Sequence, residues 1–412
     1  MMGVNERGSQ SKKTQSPALI RGKKPMPYKD RFSFNYYLPT RIVFGAGELK
    51  NVSREMDSLK IKKALVVTDA GLKDSPMVKS LLSGLGDRGA LFGEAIPDSS
   101  NEVVAKGAEA YRAAGAEGII SIGGGSSMDT AKGIGILAKK GRNDLREFFG
   151  LSKVGEPIVP HIAIPTTSGT ASEVSMFATI KDHGSKVKNL ISDPHLLPPV
   201  AILDPQLTAG LPPMMTAATG MDALSHAIES VHARFYEPIS DGLAYQAIRL
   251  IVTYLPRCLE KGDDLEARGM QAIASTMAGM AFQNALVGCA HGIAHALGGM
   301  FGVHHGLANA ILLPHAIRFN MPVCASRYRQ VAEAFGLDIR GKGDLEIGEM
   351  LAQAVGEFTR KTGLPQKLSA IQIPKESFPE LAKIAVNDPG MKSNLRRVTD
   401  PQEIIPVLEA AW

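Results

Sequence analysis

From Gly269 to Ile317 the chain runs 49 residues without an Asp, Glu, Lys or Arg, yet the stretch holds five of the ten histidines: His291, His295, His304, His305 and His315. So long a charge-free run needs an apolar environment. A membrane span is one, but Gln283, Asn284, the imidazoles and the Gly-rich breaks suit lipid poorly. The stretch reads instead as a deeply buried part of a soluble fold. Buried imidazoles need partners. A single histidine would be satisfied within a core; five in so little chain point to a metal. His291 and His295 are four apart and share a helix face, and His304-His305 follow a Gly-rich break.

At 412 residues the chain is long enough for two domains with separate cores. Aromatic residues are only 6% while glycines number 42, which favours a turn-rich α/β protein over a nucleic-acid stacking surface. The net charge of +5 is local. Residues 1–31 carry eight bases against two acids, a surplus of six, so the remaining chain is near −1 and has no overall bias towards nucleic acid. Residues 1–30 are polar, basic and without periodicity or an apolar h-region, and are expected to be a disordered tail and not a secretory signal. The three cysteines, Cys258, Cys289 and Cys324, form no CxxC and no even framework, as expected of a reducing, cytoplasmic location.

Strands are expected at Phe32–Tyr37 and Arg41–Phe44. From Lys63 the pattern alternates: KALVVTD, a helix over Pro76–Leu85, ALFGEAIP, a helix over Asn101–Ala114, EGIISI, a helix over Ser127–Lys139. This is the βαβαβα rhythm of a mostly parallel, Rossmann-like sheet with helices on both faces. Short strands follow at HIAIPTT, MFATIKD, VKNLIS and VAILDP. Beyond Leu211-Pro212-Pro213 the patterns are helical: Met215–Ala233, Ile239–Tyr254, Leu265–Gly288 and Lys342–Thr362. The expected organisation is a parallel-sheet α/β domain over 31–210 and an all-α domain over 211–412.

EGIISIGGGSSMDTAKGIG is a buried strand, a Gly-rich turn and a helix. Gly123, Gly124 and Gly125 let backbone approach a ligand, Ser126 and Ser127 offer hydroxyls, and the helix start presents unsatisfied N–H groups to a phosphate. Asp69 ends the first strand of the series, where an acid accepts hydrogen bonds from an adenosine ribose and repels a 2′-phosphate. IPTTSGTASE clusters Thr166, Thr167, Ser168 and Thr170 just after another strand. Each could be ordinary turn chemistry; three at strand ends of one sheet are harder to dismiss and suggest a nucleotide.

Asp222 and His226, in TGMDALSHAIES, are four apart and face the same way on a helix, so both can reach one divalent metal. With the histidines after Cys289 they supply one Asp and three His. Spacing leaves open which of His295, His304 and His305 completes the set.

GGGSSMDTAKGIG, PTTSGTASEVS, TGMDALSHAIES, MAFQNALVGCAHGIAHALGG and VHHGLANAILLPH, in this order, resemble the iron-containing (group III) alcohol dehydrogenase family, within the dehydroquinate synthase-like superfamily. The resemblance runs from about Tyr36 to the C-terminus. It implies an N-terminal dinucleotide-binding domain, a C-terminal helical domain, a site in the cleft between them, and at least a homodimer. It places metal ligands, for Fe(II) or Zn(II), on Asp222, His226, His291 and His305. His295 matches a non-ligand histidine near the nicotinamide, suited to relaying the alcohol proton. Cofactor contacts fall on Asp69, Gly123, Gly124, Gly125, Ser126, Ser127, Thr167, Thr170 and Lys188, and His304 and His315 are left as structural. The implied activity is hydride transfer between NAD(H) and a small alcohol or aldehyde.

One departure stands out. Where many alcohol-acting members carry Asn-Pro-Arg, this chain reads SNLRR at Ser393–Arg397. Two rivals therefore stay in view. A hydroxyacid–oxoacid transhydrogenase on the same scaffold would need a carboxylate-binding base, for which Arg396 or Arg397 is available. A dehydroquinate synthase-like lyase would need several bases for an anionic substrate, and the charge-free stretch supplies none.

Overall fold

The computed structural model describes residues 33–182 and 188–412. The basic tail over 1–30 lies outside the described residues. The strands are β1 (Arg41–Phe44), β2 (Ala64–Asp69), β3 (Gly89–Ala95), β4 (Gly118–Gly123), β5 (Gly150–Leu151), β6 (His161–Pro165), β7 (Phe177–Lys181), β8 (Lys188–Ser192) and β9 (Val200–Leu203). Among them run helices α1 (Val52–Ser58), α2 (Pro76–Leu85), α3 (Asn101–Ala113) and α4 (Gly125–Lys140). After β9 come α5 (Pro213–Val231), α6 (Pro238–Glu260), α7 (Leu265–Ala285), α8 (Cys289–Phe301), α9 (His305–Phe335), α10 (Asp344–Lys361), α11 (Phe378–Asn387), α12 (Pro389–Ser393) and α13 (Ile405–Ala410).

Six strands form one parallel sheet in the order β1-β9-β6-β4-β2-β3. Helices cover parallel strands on both faces, so β4, GIISIG, and β6, HIAIP, are buried at every position. Ser75 and Ser100 cap α2 and α3 by accepting from Val78 N and Val103 N, whereas α4 starts at Gly124 with no side-chain cap. The chain goes outward from β2 to β3 and then returns to the other side of β2 with β4. That reversal is the crevice where open α/β sheets bind ligands, at the carboxyl ends of the strands. Asp69 ends β2 and Gly123 ends β4 there, with Pro165 of β6 beside Gly123.

Beyond β9, the described residues form helices around a core that includes Met221, Leu224, Ile248, Leu313 and Tyr328. Residues Asn35–Trp412 make one compact unit. None of the helices is long and apolar enough to cross a membrane, among the described residues.

Two expectations need correcting. No strand forms at Phe32–Tyr37: Phe32 lies outside the described residues, and 33–40 has no regular structure. The Tyr37 backbone pairs instead with the Asn284 side chain on α7, donating to Oδ1 at 2.8 Å and accepting from Nδ2 at 3.4 Å. The helix expected over Leu265–Gly288 stops at Ala285, because Leu286 adopts φ 68°, outside helical space. The chain then restarts as α8, whose first turn carries His291.

Candidate metal and cofactor site

Asp222 and His226 project from α5, His291 from the first turn of α8, and His305 from the first residue of α9. One ligand atom from each of the four lies within 4.8 Å of the others. Asp222 Oδ1 is 3.8 Å from His291 Nε2 and 3.5 Å from His305 Nε2. The His226 and His291 rings stack at 4.5 Å, and Phe282 stacks on His226 at 4.2 Å. Asn309 Nδ2 donates to Asp222 Oδ1 at 2.8 Å and contacts His305 Nε2 at 3.2 Å.

The electrostatics favour a set of electron-pair donors. Burial pushes the His226 imidazole down to about 4, with His291 adding to this against Asp222 and Glu229. Burial likewise holds His305 well below its ordinary value. Burial alone would raise the Asp222 carboxyl; His226, His305, His291 and the Asn309 hydrogen bond outweigh it and bring it to about 2. Near neutral pH the group is one carboxylate with His226 and His305 neutral. His226 Nδ1 and His291 Nε2 are buried with no hydrogen-bond partner. A buried imidazole nitrogen left unpaired is costly, and a cation amid these four side chains fits that deficit.

His295 lies outside the group. Its side chain is 37% exposed, it stacks on His305 at 5.2 Å, and its Nδ1 donates to Asp388 Oδ2 at 3.0 Å. His304 occupies the exposed position before α9 without a side-chain capping bond, and burial lowers His315 to about 4, away from the cluster.

The cofactor candidates meet at the strand ends. Asp69 Oδ1 accepts from Gly71 N and Leu72 N, and Ser127 Oγ donates to Asp69 Oδ2 at 3.3 Å. A Cβ on Gly124 would lie 3.5 Å from Thr167, and one on Gly125 2.9 Å from Thr170, so the 166–170 loop closes on the Gly-rich turn. Ser126 Oγ accepts from Asp98 N at 3.2 Å. Lys188 opens β8 opposite Lys181; its side chain lies outside the described residues. On its other side the same loop touches α5: a Cβ on Gly169 would lie 2.7 Å from Thr219 O, three residues before Asp222. Helix α4 secures the chain that follows. Asp129 accepts from Ser172 Oγ and Thr179 N, and buried Lys132 donates to Ser172 Oγ at 2.9 Å and Phe177 O at 2.7 Å.

Sequence reasoning overlooked three side chains. Glu229 accepts from His291 Nδ1 at 2.6 Å; burial opposes its ionisation, but His232 and His291 hold its carboxyl well below the ordinary range. Asp388 receives His295. Asn394, inside the departing SNLRR segment, is fully buried and accepts from Cys289 N at 3.1 Å and Asn320 Nδ2 at 3.0 Å. A signal existed for Glu229 alone, seven after Asp222 and on the same helix face. Arg396, considered above as a carboxylate anchor, instead donates to Phe319 O at 2.8 Å with its guanidinium 4.0 Å over the Phe319 ring, and Arg397 lies on the surface.

Comparison with known proteins fits this arrangement. Residues 39–205 match the model of iron-containing alcohol dehydrogenases, and 216–412 match the C-terminal model of the Fe-containing alcohol dehydrogenase family. The chain is 37% identical over 380 residues to the NAD-dependent methanol dehydrogenase of Bacillus methanolicus, covering 92% of this chain and 99% of that one. It is 38% identical over 384 residues to the 1,3-propanediol dehydrogenase of Klebsiella pneumoniae, with 92% and 99% covered. A crystal structure of 1,3-propanediol oxidoreductase superimposes with a TM-score of 0.89 at 37% identity, over 92% of this chain and all of that one. With near-complete coverage of such relatives and the two family models spanning both the sheet and the helices, the chain belongs to the iron-containing alcohol dehydrogenase family.

Proposed function

We propose that this protein is an NAD-dependent, iron(II)-containing alcohol dehydrogenase, working also as an aldehyde reductase, that moves a hydride between NAD(H) and a small alcohol or aldehyde. The observation that carries the reading is the 166–170 loop, which touches the Gly-rich turn on one side and α5, the helix of Asp222 and His226, on the other. A loop so placed brings cofactor and metal within reach of one substrate. Relatives named for methanol and 1,3-propanediol support small alcohols as the substrate class.

Asp222, His226, His291 and His305 would hold the metal. One carboxylate and three imidazoles without a thiolate suit Fe(II), and Zn(II) would also be accepted. When bound, the ion supplies Lewis-acid polarisation of the substrate oxygen, and NAD supplies the hydride-accepting carbon. The uncapped N–H groups at the start of α4 bind the pyrophosphate, assisted by Thr167 and Thr170. Lys188, at the start of β8, is the residue we assign to the cofactor ribose. Asp69 accepts from the adenosine ribose and repels a 2′-phosphate, which selects NAD over NADP. His295 keeps its Nδ1 proton on Asp388, so Nε2 is the basic nitrogen of the neutral ring and takes up the alcohol proton. Phe282, stacked on His226, keeps water from that side of the ligand set.

In this reading the chain divides near residue 210 into a nucleotide-binding and a metal-binding domain. The enzyme acts as a homodimer in the cytoplasm, where its three buried, unbridged cysteines stay reduced. The test is metal-stripped enzyme, reloaded anaerobically with Fe(II) or Zn(II) and assayed with NAD and NADP against small alcohols, diols, hydroxyacids and aldehydes. NAD-linked alcohol oxidation that depends on the metal is expected. Full turnover without metal overturns the reading, as does hydride exchange confined to hydroxyacid and oxoacid pairs.

A further inference from the structure

Glu229 lies on α5 in line with Asp222 and His226 and is fully buried. Its carboxylate accepts from Gly288 N at 2.9 Å, Ala290 N at 2.7 Å, His291 N at 3.2 Å and His291 Nδ1 at 2.6 Å, with His232 Nε2 at 3.4 Å. The first N–H groups of α8, which a helix cannot satisfy itself, are thus met by one side chain of another helix, with Asn394 taking Cys289 N. The fit is close: a Cβ on Gly288 would lie 2.6 Å from Asn394 Oδ1 and 3.1 Å from Glu229 Oε1.

A carboxylate only accepts hydrogen bonds, so His291 carries its proton on Nδ1. Nε2 is then a lone pair, and it lies buried and unpartnered 3.8 Å from Asp222 Oδ1. Charge points the same way. Asp222 against a divalent ion leaves one net positive charge in a largely buried site, and Glu229 cancels it through the His291 ring.

We propose that Glu229 is a positioning residue for the metal, fixing the His291 tautomer and the start of α8 so that Nε2 meets the ion as an electron-pair donor. This rests on the reading in which Asp222, His226, His291 and His305 hold the metal. A carboxylate behind a ligating histidine orients the ring and raises its basicity, and its loss weakens metal affinity about 10- to 100-fold.

The experiment measures anaerobic Co(II) dissociation constants by chelator competition, the visible d–d spectrum of the Co(II) protein, and the melting temperature of the metal-free protein. The variants are E229Q, E229D, H291A and E229Q/H291A. Glu229→Gln should weaken Co(II) binding by about 10- to 100-fold and shift the Co(II) bands. Added to His291→Ala it should cost little more, since its path to the metal has gone. Wild-type Co(II) affinity in E229Q overturns the proposal whatever its melting temperature, as does a double variant showing the full product of the two single losses. If E229Q yields no folded metal-free protein, E229D decides: its shorter reach should weaken Co(II) binding, and wild-type affinity overturns the proposal. Wild-type affinity in H291A would instead overturn the ligand assignment beneath it.

Discussion

Gly169→Ala strikes the junction between the proposed cofactor and metal sites. A Cβ at Gly169 would stand 2.7 Å from Thr219 O and Thr219 Cβ and 2.8 Å from Thr219 Cα. Ordinary contact starts at 3.4 Å, so the loop and α5 must part by about 0.7 Å. Two of those atoms are backbone inside a helix, so no rotamer change relieves the overlap. Overpacking of this kind costs about 1–3 kcal/mol. The kinetic effect should be larger, because a misplacement near 1 Å between reacting groups lowers rate about 10²-fold. Metal and NADH should each still bind, since their proposed ligands remain. The assay is single-turnover hydride transfer by stopped flow, beside iron content, NADH fluorescence titration and melting temperature. Gly210, with nothing within 4 Å of its hypothetical Cβ, supplies the control G210A. A G169A enzyme with wild-type hydride-transfer rate and unchanged melting temperature would refute the reasoning.

Asp69→Gly should raise kcat/KM for NADP relative to NAD, and losing the hydrogen bonds to Gly71 N and Leu72 N should cost about 1 kcal/mol of stability; a wild type that already prefers NADP contradicts this role. His295→Ala should retain iron and NADH affinity while losing about 10²-fold in turnover; loss of iron from it, with His305→Ala still loaded, would move His295 into the ligand set. Metal-free protein should lose stability as pH falls from 6.5 to 4. His226 takes its proton only near 4 when folded, so the unfolded chain binds that proton first and is favoured, by on the order of 3 kcal/mol for this group. Calorimetry across that range should show the slope in wild type and a shallower one in His226→Ala.

Much of the fold was legible because its strands are short and buried on both faces. KALVVTD, EGIISI and HIAIPTT read as near-continuous apolar runs. Phe32–Tyr37 misled because aromatic alternation looks like a strand whether the backbone meets a sheet or the Asn284 amide. The end of α7 was hidden because nothing in Ala285-Leu286-Val287 marks a break; Leu286 carries it at a positive φ with no Gly or Pro. At the site, the i, i+4 rule paired Asp222 with His226 but could not choose among His295, His304 and His305. Helical spacing puts His295 on the face of His291, yet the structure gives that ring to Asp388 and groups His305 with the other three. Glu229, Asp388 and Asn394 meet their partners 62, 93 and 105 residues away in the chain. No local period encodes contacts of that range.

The most direct test is the anomalous-scattering map at the iron edge from a crystal of Fe(II)-loaded enzyme with NAD. One iron per chain is expected, bonded to Asp222, His226, His291 and His305, with NAD phosphates at the start of α4 and His295 off the metal. An iron peak elsewhere, or one bonded to His295 in place of His305, would contradict the account.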